Sequence, residues 1–79
     1  INTSATTLDL IDFGISSIDP NAFNSFTELL ILYLDSNQIT SIDSNTFKNN
    51  IKLEELHLNF NRISALNPTL FSHLKNLRE

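Results

Sequence analysis

The sequence predicts a solenoid whose every coil is a short parallel β-strand, a turn, and roughly one turn of α-helix or 3₁₀ helix leading to the next strand. Three observations predict it. Apolar residues recur at a fixed spacing of 24, each recurrence carries the alternation Leu-x-Leu, and an Asp or Asn followed four residues later by Phe closes each return.

The recurring columns are Leu8, Leu32 and Leu56; Leu10, Leu34 and Leu58; Ile15, Ile39 and Ile63; Ile18, Ile42 and Leu66; Phe23, Phe47 and Phe71; and Leu29, Leu53 and Leu77. Self-similarity at such a period is the mark of stacked supersecondary units. A weaker column holds Phe26, Asn50 and Leu74; Asn50 breaks it, and Ile51 next door is expected to fill the slot. These columns divide the chain into repeats at 5–28, 29–52 and 53–76, with residues 77–79 opening a fourth.

Each element has a local cause. Leu8/Leu10, Leu32/Leu34 and Leu56/Leu58 alternate with period two, the signature of a half-buried strand. The returns open on Asp19-Pro20, Asp43-Ser44 and Asn67-Pro68. A side-chain oxygen there can cap a helical turn, and Pro suits the first helical position, where its missing N–H needs no partner. The Phe four residues on lies about one turn along and can swing inward. Lys48-Asn49-Asn50-Ile51-Lys52 reads as a solvated turn on this return. Asn37 and Asn61 follow the strands at positions where a side chain must turn in among Leu and Ile. A buried amide is tolerable there only when hydrogen-bonded, so the two are expected to form a ladder with the backbone of adjacent coils. Phe13 occupies the same position in the first repeat and can make no such bond, which marks that repeat as irregular.

Composition narrows the function. Seventy-nine residues suffice for one small domain or a piece of a larger one, not for a two-domain enzyme. The absence of Cys excludes a disulfide framework, a thiolate zinc site and a cysteine nucleophile. A net charge of −4 argues against nucleic acid, whose phosphates are met by clustered Lys and Arg. No apolar run approaches the ~18–20 residues that span a bilayer. Asn2-Thr3-Ser4 fits the N-glycosylation pattern, a triplet that chance also supplies in an Asn-rich chain.

The pattern Leu-x-x-Leu-x-Leu-x-x-Asn-x-Ile-x-x-Ile, from Leu29 to Ile42 and again from Leu53 with Leu66 at its end, resembles the leucine-rich repeat family. The Phe column is similar to that of the 24-residue class common in extracellular animal receptors. The resemblance implies an α/β-type, right-handed superhelix with parallel strands on the concave side and irregular, 3₁₀ or one-turn helical segments on the convex side. It also implies a protein-binding role, an extracellular or cell-surface setting, and relatives such as Toll-like receptors and insect immune proteins. Phe13 departs from the family's Asn, and capping cysteines are missing. End coils without polar caps expose core, so self-association through the ends is expected.

If the Leu-x-Leu residues point inward, pleat alternation puts the residues between them on the concave surface. The expected contacts there are Asp9, Ile11, Ile31, Tyr33, Asp35, Glu55, His57, Asn59 and Phe60. Asp9, Asp12, Asp35, Glu54, Glu55 and Glu79 face only Arg62 and Arg78 on this side, while Asp19, Glu28 and Asp43 balance Lys48, Lys52 and Lys75 elsewhere. Acidic groups around an apolar and aromatic centre suit a basic protein partner. The bland alternative is an ordinary charged surface on spacer repeats, and an intracellular scaffold is a third reading. Catalysis is not expected: Asp9 and His57 would stand about 10 Å apart, two strand spacings, beyond hydrogen-bond reach. A metal site using His57 with Glu55 or Asp35 would need a convergence that a flat ladder seldom gives. No cofactor is expected; Gly14 is the sole glycine, so no glycine-rich phosphate loop exists.

Overall fold

The computed structural model describes residues 3–64 and residue 70. Three short strands, β1 (Thr7–Asp9), β2 (Ile31–Tyr33) and β3 (Glu55–His57), form one parallel sheet in the order β1-β2-β3. Their register repeats the sequence spacing: Thr7, Ile31 and Glu55 are partners, as are Leu8, Leu32 and Leu56, and Asp9, Tyr33 and His57. The middle residue of each strand points into the core. Leu32 is fully buried between Leu8 and Leu56, which are partly buried.

Beyond the strands the same hydrogen bonds recur from coil to coil. Leu10 N–H donates to Tyr33 O at 2.9 Å and Leu34 N–H to His57 O at 2.9 Å. Asp12 N–H donates to Asp35 O at 3.2 Å and Ser36 N–H to Asn59 O at 2.9 Å. Asp12, Ser36 and Phe60, which share one column, all have left-handed backbone with φ of 60, 59 and 60°. That conformation costs a non-glycine residue about 1–2 kcal/mol, and its recurrence shows that the coil's geometry imposes it.

The return segments bend by overlapping i→i+3 hydrogen bonds, the 3₁₀ spacing, rather than by a continuous helix among the described residues. Ala22, Asn24, Phe26 and Leu29 donate in turn to Asp19, Asn21, Phe23 and Phe26, and Thr46, Lys48, Asn50 and Leu53 repeat the series. The expected caps form: Asp19 Oδ1 accepts Asn21 N–H and Asp43 Oδ1 accepts Asn45 N–H, each at 2.8 Å. These bends turn Phe23 and Phe47 inward, where their rings stack with centroids 5.9 Å apart. Phe47 is itself fully buried, and Leu29, Leu34, Ile39 and Leu53 are fully buried around the pair. Leu66, Asn67, Phe71, Leu74, Leu77, Arg78 and Glu79 lie outside the described residues, as does the Asn2 of the glycosylation triplet.

Two sequence expectations are overturned here. Asn50, not Ile51, fills the broken column: Asn50 is fully buried, and Ile51 is 57% exposed. The amide earns its place by donating from Nδ2 to Phe23 O and Phe26 O of the preceding coil, both at 3.0 Å. The stretch 48–52 is therefore not a wholly solvated turn. Phe13, which marks the first repeat as irregular, is 66% exposed, and Asn37 of the next coil meets it at its backbone N–H.

Candidate protein-binding surface

The asparagine ladder fixes the loops that rim the sheet. Asn37 Nδ2 donates to Leu10 O and Leu34 O at 2.9 Å and to Asp35 O at 3.2 Å, while its Oδ1 accepts Phe13 N–H at 3.1 Å and Ile15 N–H at 3.0 Å. Asn61 repeats this one coil on, with Nδ2 donating to Leu34 O and Leu58 O and Oδ1 accepting Ile39 N–H. Leu34, Asn37 and Ile39 are buried and Leu10 partly so, beneath the residues between them.

On the outward side, Tyr33 occupies the middle strand with Asp9 and His57 as its register partners. The Tyr33 and His57 rings stack with centroids 4.7 Å apart and planes 18° from parallel. His57 Nε2 lies 3.0 Å from Glu55 Oε1, a neighbour two residues back and so on the same face. Asp35 Oδ1 accepts Asn59 N–H at 3.0 Å across coils, and Asp9 Oδ1 accepts Ile11 N–H at 3.1 Å within one. Ile31 is partly buried, while Ile11 and Asn59 are exposed and Phe60 stands 84% exposed. The nine residues expected on this surface thus sit on the three strands and the loops leaving them, with Tyr33, Glu55 and His57 in direct contact and Asp9 and Asp35 alongside.

β2 separates Asp9 from His57, so the column Asp9, Tyr33 and His57 gathers no acid–base pair. Among the described residues no group of three or more His, Asp or Glu is placed to hold a metal ion. Among them too, no helix is long and apolar enough to cross a membrane. Reasoning from sequence missed the ring stack, although the register that creates it was readable from the spacing. It also missed the exposure of Phe13, for which the lack of any polar atom at an asparagine position was the available signal.

A model of the leucine rich repeat matches residues 3–49 and 27–79. The chain belongs to the leucine rich repeat family. Its membership supports a recognition module in general. No curated protein matches the chain in sequence. Among solved structures, this leucine rich repeat chain is similar to TLR13 in the TLR13-ssRNA13 complex, with 37% identity and a TM-score of 0.86 over 92% of the chain. It is also similar to internalin C2 from Listeria monocytogenes str. 4b F2365, with 27% identity and a TM-score of 0.62 over 92% of the chain. The chain spans 10% of the first and 39% of the second. The first of these was solved with RNA, so family membership does not carry the exclusion of nucleic acid drawn from net charge; that exclusion rests on charge alone.

Proposed function

We propose that this leucine rich repeat chain binds a basic protein partner through its concave sheet, as part of an extracellular or cell-surface recognition protein, and that it is not an enzyme. One observation carries the reading: a stacked aromatic pair, Tyr33 and His57, stands on the sheet amid Asp9, Asp35 and Glu55. Rigid aromatic groups supply contact area at low entropic cost, and the surrounding carboxylates steer a cationic partner and repel an anionic one. Ile11 and Phe60 add apolar surface at the rim. The likeness to TLR13 supports the receptor setting.

The test is binding of the chain to a basic probe protein at low and high salt, alongside a single-stranded RNA. Affinity for the basic protein is expected to fall as salt rises, because exposed charges are screened beyond about 8 Å at physiological ionic strength. Tyr33→Ala and Phe60→Ala are each expected to weaken it about tenfold, the size of a modest hot spot. Salt-independent binding, or affinity unchanged in both variants with folding intact, would favour the spacer reading. Preferential binding of the RNA would replace the partner class altogether.

A further inference from the structure

The column Asp9, Tyr33 and His57 is unevenly filled. A stacked pair uses one face of each ring, and Tyr33 gives that face to His57 on β3. Because β2 lies in the middle of the sheet, the other face of the Tyr33 ring is turned toward β1, where its register partner is Asp9. Adjacent strands are about 4.8 Å apart, close to the spacing of stacked planar groups, so a side chain as tall as Tyr on β1 would continue the stack. Asp9 is far shorter, and its Oδ1 is held down by Ile11 N–H. What results is a step, with an aromatic face as its wall and a carboxylate as its floor. Ile11, whose N–H meets Asp9 Oδ1, is exposed and offers apolar surface nearby.

We propose that this step takes the guanidinium of an arginine from the partner protein, stacked on Tyr33 as the third layer of the column and paired with the Asp9 carboxylate. The inference rests on the reading above, that the surface binds a basic protein, and names the group it recognises. Arginine fits better than lysine for two reasons. A guanidinium is planar and stacks on an aromatic face, and its edge presents paired N–H donors to a carboxylate; an ammonium is a compact, strongly hydrated charge that does neither. Asp35, just past the end of β2, is engaged on the β3 side, where its Oδ1 accepts Asn59 N–H, and so leaves Asp9 as the carboxylate of the step.

Tyr33 is the sole tyrosine and the chain has no tryptophan, so intrinsic tyrosine emission reports this position alone. The experiment titrates the 79-residue chain with the blocked tripeptides Gly-Arg-Gly, Gly-Lys-Gly and Gly-citrulline-Gly while following that emission. The arginine peptide is expected to change it saturably, and the other two to bind about tenfold more weakly, as the loss of a charge-assisted hydrogen bond implies. Asp9→Asn keeps the acceptor for Ile11 N–H and so the local fold, which far-UV circular dichroism checks; it should weaken the arginine peptide about tenfold. Asp12→Asn removes the same charge elsewhere on the sheet's rim and should not. Equal binding of arginine and lysine peptides, or equal effects of the two Asn variants, would overturn the guanidinium step. If the basic probe protein still binds in a salt-dependent way while the tripeptides show no preference, this inference fails and the broader reading stands; loss of both removes the reading itself.

Discussion

Replacing Asn37 by Ala is expected to destabilise the chain by about 2–4 kcal/mol. The figure follows from what each partner keeps. Leu34 O retains a donor, because Asn61 Nδ2 also reaches it at 2.9 Å. Phe13 N–H and Ile15 N–H have Asn37 Oδ1 as their acceptor, and Leu10 O receives Asn37 Nδ2, so three backbone groups lose that contact together. A hydrogen bond contributes a net ~0.5–1.5 kcal/mol, and a buried group left without one costs about 1–3 kcal/mol. The Phe13 end is open enough for water to repay part of the loss, which holds the total to the stated range. For a chain of this size each kcal/mol shifts the melting midpoint by about 4–8 °C, so a fall of about 10–30 °C is expected by circular dichroism. Native-state hydrogen exchange localises it: the Phe13 and Ile15 amides should lose protection before the strands do. Asn61→Ala is the internal control, expected to cost less because two backbone groups, Ile39 N–H and Leu58 O, lose its contact while Leu34 O keeps Asn37. A midpoint for Asn37→Ala within a few degrees of the parent, or protection unchanged at Phe13 and Ile15, would refute the ladder as a structural device.

Three further outcomes follow from the same coordinates. Thr46→Val should stabilise by about 1 kcal/mol, since Thr46 is fully buried and its hydroxyl has no partner among the described residues, a cost the isosteric methyl removes; denaturant melts showing a loss would mean the hydroxyl is satisfied after all. Phe60→Asn should raise stability by about 0.5–1 kcal/mol by relieving a left-handed φ of 60° at an exposed side chain, while weakening partner binding; a thermal melt and a binding isotherm on one sample test both halves. Lys52→Ala should change stability by less than about 1 kcal/mol although Lys52 Nζ lies 2.8 Å from Glu28 Oε1, because both side chains are about half exposed and water screens the pair; a larger loss at high salt would point to packing of the lysine stem instead.

The architecture was legible because one spacing fixes everything a parallel sheet needs. Once Leu8, Leu32 and Leu56 are equivalent, the strand register, the inward row and the outward column all follow, and the coordinates place them in that register. The returns were half legible. Asp19 and Asp43 cap as their type requires, yet the bend they start is a chain of turns, since the next strand must begin before a helix could propagate. Asn50 defeated pattern reading for a related reason. Turns spaced i→i+3 leave carbonyls with a spare lone pair inside the core, and an amide from the next coil can use them where a leucine cannot. Hydrophobic periodicity records which positions are inside; it does not record which inside positions face unsatisfied backbone.

The same distinction governs the binding surface. The pattern that places Tyr33 and His57 on one column says nothing about ring planes, and a ladder of alternating side chains would look identical in sequence whether the rings stacked or splayed apart. What decides is height: two ring-bearing residues on neighbouring strands can close the gap between them, whereas Asp9 beside Tyr33 cannot. The proposed recognition therefore falls where equivalence ends, at a column whose members differ in size and charge. Making the column uniform by Asp9→Tyr should fill the step and extend the aromatic row, raising stability by ~0.2–1 kcal/mol per cross-strand pair while abolishing selective binding of an arginine peptide. A variant that gains stability yet keeps that selectivity would place the recognised group somewhere other than beside Tyr33.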